Sequence, residues 1–310
     1  MTLKVLLSAP APTAERFRPP IAAALAEAGI DAEVGSAHPP AEVDYIIYAP
    51  NDTLRDFSPY TRARAVLSLW AGVERIVDNP TLRIPLARMV DDGLREGMVE
   101  YVTGHVLRHH LGMDAHVVNP ACRWQPQPPP LARERPVSIL GLGELGAACA
   151  RALAGLNFPV TGWSRRPKTL EGVCCRHGRK GLEETLARAR ILVLLLPLTA
   201  ETRNILDATA FALLPRGAVL VNPGRGALID EAALLAALDS GHVAHATLDT
   251  FRTEPLPEAH PFWRHPQVTV TPHVASDTRP QTAARVIAEN IRRAEAGMPL
   301  LHLVDRAAGY

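Results

Sequence analysis

One short stretch constrains this chain more than any other. Pro136-Val137-Ser138-Ile139-Leu140 reads as a strand, and Gly141-Leu142-Gly143-Glu144-Leu145-Gly146 follows at once. Residues 147–156 carry a helical pattern, and Val160-Thr161-Gly162-Trp163 reads as the next strand. Three glycines at this spacing between a strand and a helix, inside a βαβ unit of about 30 residues, form a turn suited to a dinucleotide. Gly141 allows the sharp turn, Gly143 leaves no side chain in the way of a pyrophosphate, and Gly146 lets the helix lie close to the strand. Beyond Gly143, Glu144 and Leu145 lead into the helix N-terminus, where unpaired N–H groups and the positive dipole end face the phosphates.

The alternation continues on both sides. Strands are expected at 4–8, 44–48 and 65–69 before the glycine turn, and at 191–196, 218–222, 245–249 and 268–271 after it. Helices are expected at 14–28, 94–111, 182–190, 211–214, 230–240 and 279–295. Such alternation implies an α/β chain with parallel sheets covered on both faces. A length of 310 residues suits two domains. Residues 119–136 contain six prolines, so neither a regular helix nor a central strand fits there. That segment reads as a surface connection or as an arm laid on a second copy of the chain.

Lys plus Arg is 33 and Asp plus Glu is 32, a formal charge of +1, which argues against nucleic acid as the partner. Cys122, Cys149, Cys174 and Cys175 form no C-x-x-C pair, so no metal site is expected and free thiols in the reducing cytoplasm are. The apolar run 5–9 is too short for a signal-peptide core, and 191–198 is too short to span a membrane.

The second strand of the βαβ unit ends at Trp163-Ser164-Arg165-Arg166. An NAD site usually has a carboxylate here for the ribose hydroxyls. A hydroxyl and two guanidinium groups suit a 2′-phosphate instead, so NADPH is expected over NADH, with NADH still possible. The alternative reading is that both arginines are solvated loop charges.

Three further segments sit at expected strand ends: Val221-Asn222-Pro223-Gly224-Arg225-Gly226, Asp249-Thr250-Phe251-Arg252-Thr253-Glu254, and Thr271-Pro272-His273-Val274-Ala275. Open α/β sheets bind ligands at that edge. Reduction of a ketone needs a proton donor as hydride arrives, and histidine ordinarily titrates near working pH. A carboxylate beside it fixes the ring, and an arginine holds a substrate carboxylate and polarises the carbonyl. His273, Glu254 and Arg225 supply these three types. Singly, each could be a structural histidine, a surface glutamate or a turn charge.

Together with Leu195-Leu196-Pro197-Leu198-Thr199 and Glu254-Pro255-Leu256-Pro257, these motifs resemble the D-isomer-specific 2-hydroxyacid dehydrogenase family, most closely its bacterial glyoxylate/hydroxypyruvate reductase A group. The resemblance implies a Rossmann NAD(P)-binding domain, residues 98–276, inserted into a flavodoxin-like substrate domain, 1–97 plus 277–310. It implies NADPH-dependent reduction of small 2-keto acids such as glyoxylate and hydroxypyruvate, and a homodimer using helix 94–111 and the proline-rich segment. By the same resemblance His273 is the general acid, Glu254 its partner and Arg225 the substrate clamp. Asp249 holds the nicotinamide carboxamide, and Pro197 and Thr202 line the adenosine side. Trp70-Ala71-Gly72-Val73 matches a loop whose Ala71 and Gly72 N–H groups grip the substrate carboxylate, a small anion nest. Two departures from the family pattern are Thr250, where valine is usual, and Pro223-Gly224 before the arginine. Trp124 and Trp263 are candidates for pocket walls or for plain packing. A related dehydrogenase for another D-2-hydroxy acid, and a non-catalytic nucleotide-sensing corepressor, remain alternative readings on the same fold.

Overall fold

The computed structural model describes residues 2–117 and 119–310. The chain divides into two compact units, one formed by residues up to Leu94 with Asp277–Tyr310, the other by Arg95–Ser276.

The first unit holds β1 (Leu3–Ser8), α1 (Ala11–Glu27), β2 (Ala32–Gly35), β3 (Tyr45–Tyr48), β4 (Ala65–Ser68), β5 (Leu86–Ala87) and the last helix, α8 (Pro280–Glu295). Its strands pair in the order β2-β1-β3-β4-β5, all parallel, the flavodoxin-like arrangement. Side chains alternate across a strand, and that alternation builds two cores. Val5, Leu7, Tyr45, Ile47 and Leu67 point to one core, with Phe17 and Ile21 of α1 and Ile287 and Ile291 of α8. Leu6, Ile46, Tyr48 and Val66 point to the other, against Leu54, Phe57, Val73 and Ile76. Pro19 and Pro20 lie inside α1 and remove two helical donors. Burying Phe17 and Ile21, each worth about 1.5–3 kcal/mol, offsets that loss.

The second unit begins within α2 (Asp92–Leu111) and continues through α3 (Asp114–Val117), β6 (Val137–Leu140), α4 (Glu144–Gly155), β7 (Val160–Ser164), β8 (Val173–His177), α5 (Gly178–Leu186) and β9 (Ile191–Leu194). It ends with α6 (Ala208–Leu213), β10 (Ala218–Asn222), α7 (Glu231–Asp239), β11 (Val243–Leu248) and β12 (Val268–Val270). The parallel order β12-β11-β10-β9-β6-β7-β8 is that of a Rossmann sheet with one added strand. The winding reverses between β6 and β9, which puts the glycine turn at the switch point. Here too alternate residues separate: Leu192, Leu194 and Leu220 enter one core, Ile191, Val193 and Val219 the other. The unbroken apolar runs of these strands follow from burial on both faces.

Several expectations need correction. Three strands went unread: β2 and β8 are half-exposed edges with polar residues, and β5 has only two residues. Helix α5 covers 178–186, not 182–190, because its exposed first turn carries no apolar signal. Helix α4 starts at Glu144, inside the glycine motif, so Glu144 and Leu145 form its first turn. Residues 119–131 are exposed throughout, and 132–134 make a single 3-10 turn. Among the described residues no helix is long and apolar enough to cross a membrane.

Candidate active site

The loops after β10, β11 and β12 carry Arg225, Asp249, Glu254 and His273. His273 Nδ1 lies 2.8 Å from Glu254 Oε2, and Glu254 Oε1 accepts the Phe251 N–H at 2.9 Å. The second bond holds the carboxylate still while the first orients the ring. With Nδ1 donating to a carboxylate, the imidazole's other nitrogen, Nε2, is the one left for chemistry. The His273 side chain is 51% exposed, so a reactant can reach it. His273 itself has φ +54°, a left-handed backbone uncommon outside glycine.

Arg225 follows β10 and is set by Asn222, a fully buried residue. The Asn222 amide donates to Arg225 O at 3.1 Å, and its Oδ1 accepts the Gly224 N–H at 3.2 Å. Asp249 N–H also donates to Asn222 O at 3.1 Å, tying this loop to the one after β11. A Cβ on Gly226 would fall 2.1 Å from Phe251 C, so the two loops touch backbone to backbone. The Arg225 guanidinium donates to Gly224 O at 2.7 Å.

The glycine turn has the geometry its sequence implies. Gly141 has φ +105°, and a Cβ there would meet Leu195 O at 2.4 Å. One on Gly146 would meet Gly141 O at 1.8 Å. Gly143 differs: a Cβ there meets no protein atom within 4 Å. No neighbour in the chain requires that glycine, so the space it leaves suits a group from outside, at the N-terminus of α4, whose cap Gly143 is. This fits the pyrophosphate of a dinucleotide.

At the end of β7, Ser164 Oγ donates to Arg166 O at 2.8 Å and so shapes the turn carrying both arginines. Arg165 Nη1 lies 3.7 Å from Glu201 Oε2, and Arg166 is exposed. Thr202 Oγ1 donates to Pro197 O at 2.7 Å, which closes the loop after β9. Asp249 is fully buried; its oxygens accept Thr271 Oγ1 at 2.6 Å, Val274 N–H at 2.9 Å and Ala275 N–H at 3.0 Å. Its carboxylate is thus directed at the loop that carries His273. In the first unit, Ser68 Oγ bridges the Trp70 N–H and carbonyl, and among the described residues the Ala71 and Gly72 N–H groups meet no acceptor. Trp263 Nε1 donates to Pro257 O at 3.0 Å, and Trp124 is 95% exposed. The Thr250 hydroxyl is buried without a hydrogen-bond partner among the described residues. Among those residues no cluster of three or more His, Cys, Asp or Glu could hold a metal ion.

Sequence reasoning missed Asn222, Thr271, Tyr101 and Lys168. Lys168 Nζ donates to Leu142 O, inside the glycine turn, at 2.6 Å. Tyr101 Oη meets Thr271 Oγ1 at 2.7 Å. Asn222 and Thr271 stood inside motifs already marked, but nothing local gives away a polar side chain whose partner lies on another loop.

Residues 104–275 match the model of the D-isomer specific 2-hydroxyacid dehydrogenase NAD binding domain. The chain belongs to that family. A glyoxylate/hydroxypyruvate reductase A of Serratia proteamaculans is 42% identical over 257 residues, 80% of this chain and 82% of that protein. The solved structure of a D-isomer specific 2-hydroxyacid dehydrogenase from Xanthobacter autotrophicus Py2, in complex with NADPH and MES, superposes with a TM-score of 0.92 at 41% identity, over the whole of both chains. That of the NADPH-dependent glyoxylate/hydroxypyruvate reductase of Sinorhizobium meliloti, with NADP and sulfate, gives 0.85 at 36%, over 100% of this chain and 99% of the other. As a family member the protein is an NAD(P)-dependent oxidoreductase with two parallel-sheet α/β domains.

Proposed function

We propose that this 2-hydroxyacid dehydrogenase reduces small 2-keto acids, glyoxylate and hydroxypyruvate among them, to D-2-hydroxy acids with NADPH. The observation that carries the reading is the 2.8 Å contact between His273 Nδ1 and Glu254 Oε2 at the sheet edge that also bears Arg225. Similarity to reductases of these two keto acids supports the substrate class.

When bound, NADPH supplies the hydride that ends on the keto carbon. Glu254 holds the ring and balances its positive charge. His273 then gives the Nε2 proton to the carbonyl oxygen as negative charge develops there. Arg225 offers a planar fork to the substrate carboxylate and keto oxygen. Glu144 and Leu145 in the first turn of α4, with Gly141, Gly143 and Gly146, cradle the pyrophosphate, and Pro197 and Thr202 serve the adenosine side; Asp249, buried with three donors of its own chain on its carboxylate, serves the site through the loop that carries His273. Arg165 and Arg166, on the turn that the Ser164 hydroxyl shapes, form the 2′-phosphate end; two related structures hold NADPH or NADP, which supports the preference. In the first unit, Ala71 and Gly72 are a carboxylate nest by the same resemblance.

We further infer a cytoplasmic homodimer. Free thiols and the exposed 119–131 run with Trp124 support it.

The test is a panel of 2-keto acids offered with NADPH and with NADH. Glyoxylate and hydroxypyruvate should lead in kcat/KM, and NADPH should outperform NADH. A larger keto acid at the head of the panel would replace the substrate assignment.

A further inference from the structure

The left-handed backbone at His273 needs something to hold it, since a non-glycine residue there is strained. The bonds that hold it can be followed outward. The His273 N–H donates to Asp249 O at 2.9 Å and to Thr271 O at 3.0 Å. The next two N–H groups, of Val274 and Ala275, go to the two oxygens of the Asp249 carboxylate. Asp249 therefore clamps the loop on the C-terminal side of the imidazole.

What holds Asp249 is a hydroxyl chain whose direction is fixed by chemistry. A carboxylate can only accept, so the 2.6 Å contact with Thr271 Oγ1 spends the single proton of that hydroxyl. Thr271 Oγ1 must then be the acceptor in its 2.7 Å contact with Tyr101 Oη. Tyr101 lies on α2, far from His273 in sequence. Burial raises its phenol well above the ordinary range, so it stays a donor. Thr271 is also two residues before His273 and offers its carbonyl to the His273 N–H. All of these residues belong to the second unit.

We infer that Tyr101 and Thr271 are positioning residues: the chain Tyr101 Oη–H to Thr271 Oγ1–H to Asp249 anchors the His273 loop to α2 and fixes the imidazole against Glu254. This rests on the proposed acid role of His273. Neither hydroxyl touches a reactant, and their influence passes through the loop backbone.

The experiment uses the full chain and five variants: Thr271→Val, Thr271→Ser, Tyr101→Phe, His273→Ala and the double variant Thr271→Val with His273→Ala. Thr271→Val keeps the shape but leaves Asp249 short of a donor and the Tyr101 hydroxyl without an acceptor. It should lower kcat with glyoxylate about 10-fold or more, with NADPH Kd by fluorescence changed less than about 3-fold. Thr271→Ser should recover most of the loss, and Tyr101→Phe, the gentler change, should cost about 3-fold. In a His273→Ala background Thr271→Val should cost nothing further. The His273 ring resonances of the apo protein should move in Thr271→Val and Tyr101→Phe, and return in Thr271→Ser.

Unchanged ring resonances and an unchanged kcat in both Thr271→Val and Tyr101→Phe overturn the proposal. So does a Thr271→Val loss that persists without His273, or that falls on NADPH Kd. Should the parent protein reduce no keto acid while the ring resonances still respond, the reductase reading fails and the positioning chain stands.

Discussion

At the scale of single residues, the glycine turn separates two reasons for having no side chain. Gly146→Ala sets a Cβ 1.8 Å from Gly141 O, so the turn must open; thermal stability and NADPH binding should fall together. Gly143→Ala meets no protein atom and has an extended backbone, φ −69° and ψ −168°. Its unfolding free energy should fall by no more than about 1 kcal/mol, the cost of alanine at a helix N-cap, while NADPH Kd rises about 10-fold or more. Chemical denaturation and a fluorescence titration read the two effects; a Gly143→Ala variant with unaltered Kd would remove the phosphate from this turn. Arg165→Ala with Arg166→Ala should narrow the ratio of kcat/KM for NADPH over NADH, and a ratio that does not move assigns the 2′-phosphate elsewhere. The glycine turn and the meeting of His273 with Glu254 were legible because those residue types stand out at fixed places in their motifs. Asn222 and Thr271 were not, because an amide or hydroxyl takes its meaning from a partner across the sheet edge.

At the scale of elements, α2 shows what a pattern can and cannot say. Tyr101, His105 and His109 lie four residues apart on one stripe of this helix, and the stripe alone predicts burial. Only the structure shows that it faces a polar row on β11, β12 and the loop beyond. His109 Nε2 meets Thr247 Oγ1 at 2.9 Å, His245 Nε2 meets Thr269 Oγ1 at 2.8 Å, and the two rings are 4.9 Å apart. Burial, helped by the neighbouring His245 and Arg108, lowers His109 to about 3, and burial lowers His105 and His245 too. The unfolded chain takes up these protons near the ordinary value of 6.5 and the folded chain does not. Stability from the neutral rings is therefore complete above pH 6.5 and drains away as pH falls toward the folded values. For His109 alone the loss should be about 1 kcal/mol on going one pH unit below 6.5. Denaturant midpoints at neutral and mildly acid pH check this: His109→Gln should flatten the acid limb, and an equally steep limb would place the proton uptake elsewhere. Strand edges were the weak point of the sequence reading for a related reason. β2 and β8 satisfy their backbones at the sheet margin without the apolar alternation that marks an inner strand.

At the scale of the whole molecule, the α/β class and the all-parallel sheets were legible because central strands such as β9 and β10 are apolar on both faces and the strands alternate with helices. The segment 119–131 was legible only by exclusion: its prolines rule out regular structure, and nothing in its composition names what it lies against. Its exposed residues, Trp124 at 95%, give the dimer proposal a direct check. Sedimentation should give twice the chain mass, and a Trp124→Ser variant should weaken that association; a parent that sediments as one chain rejects it. The proton-transfer role of the His273–Glu254 pair is tested most directly by pre-steady-state oxidation of NADPH on mixing with glyoxylate, parent beside His273→Ala. The parent should consume NADPH, and the variant should be slower by about 10²–10⁴-fold while binding NADPH equally tightly; a variant that turns over at the parent's rate contradicts the role assigned to the imidazole.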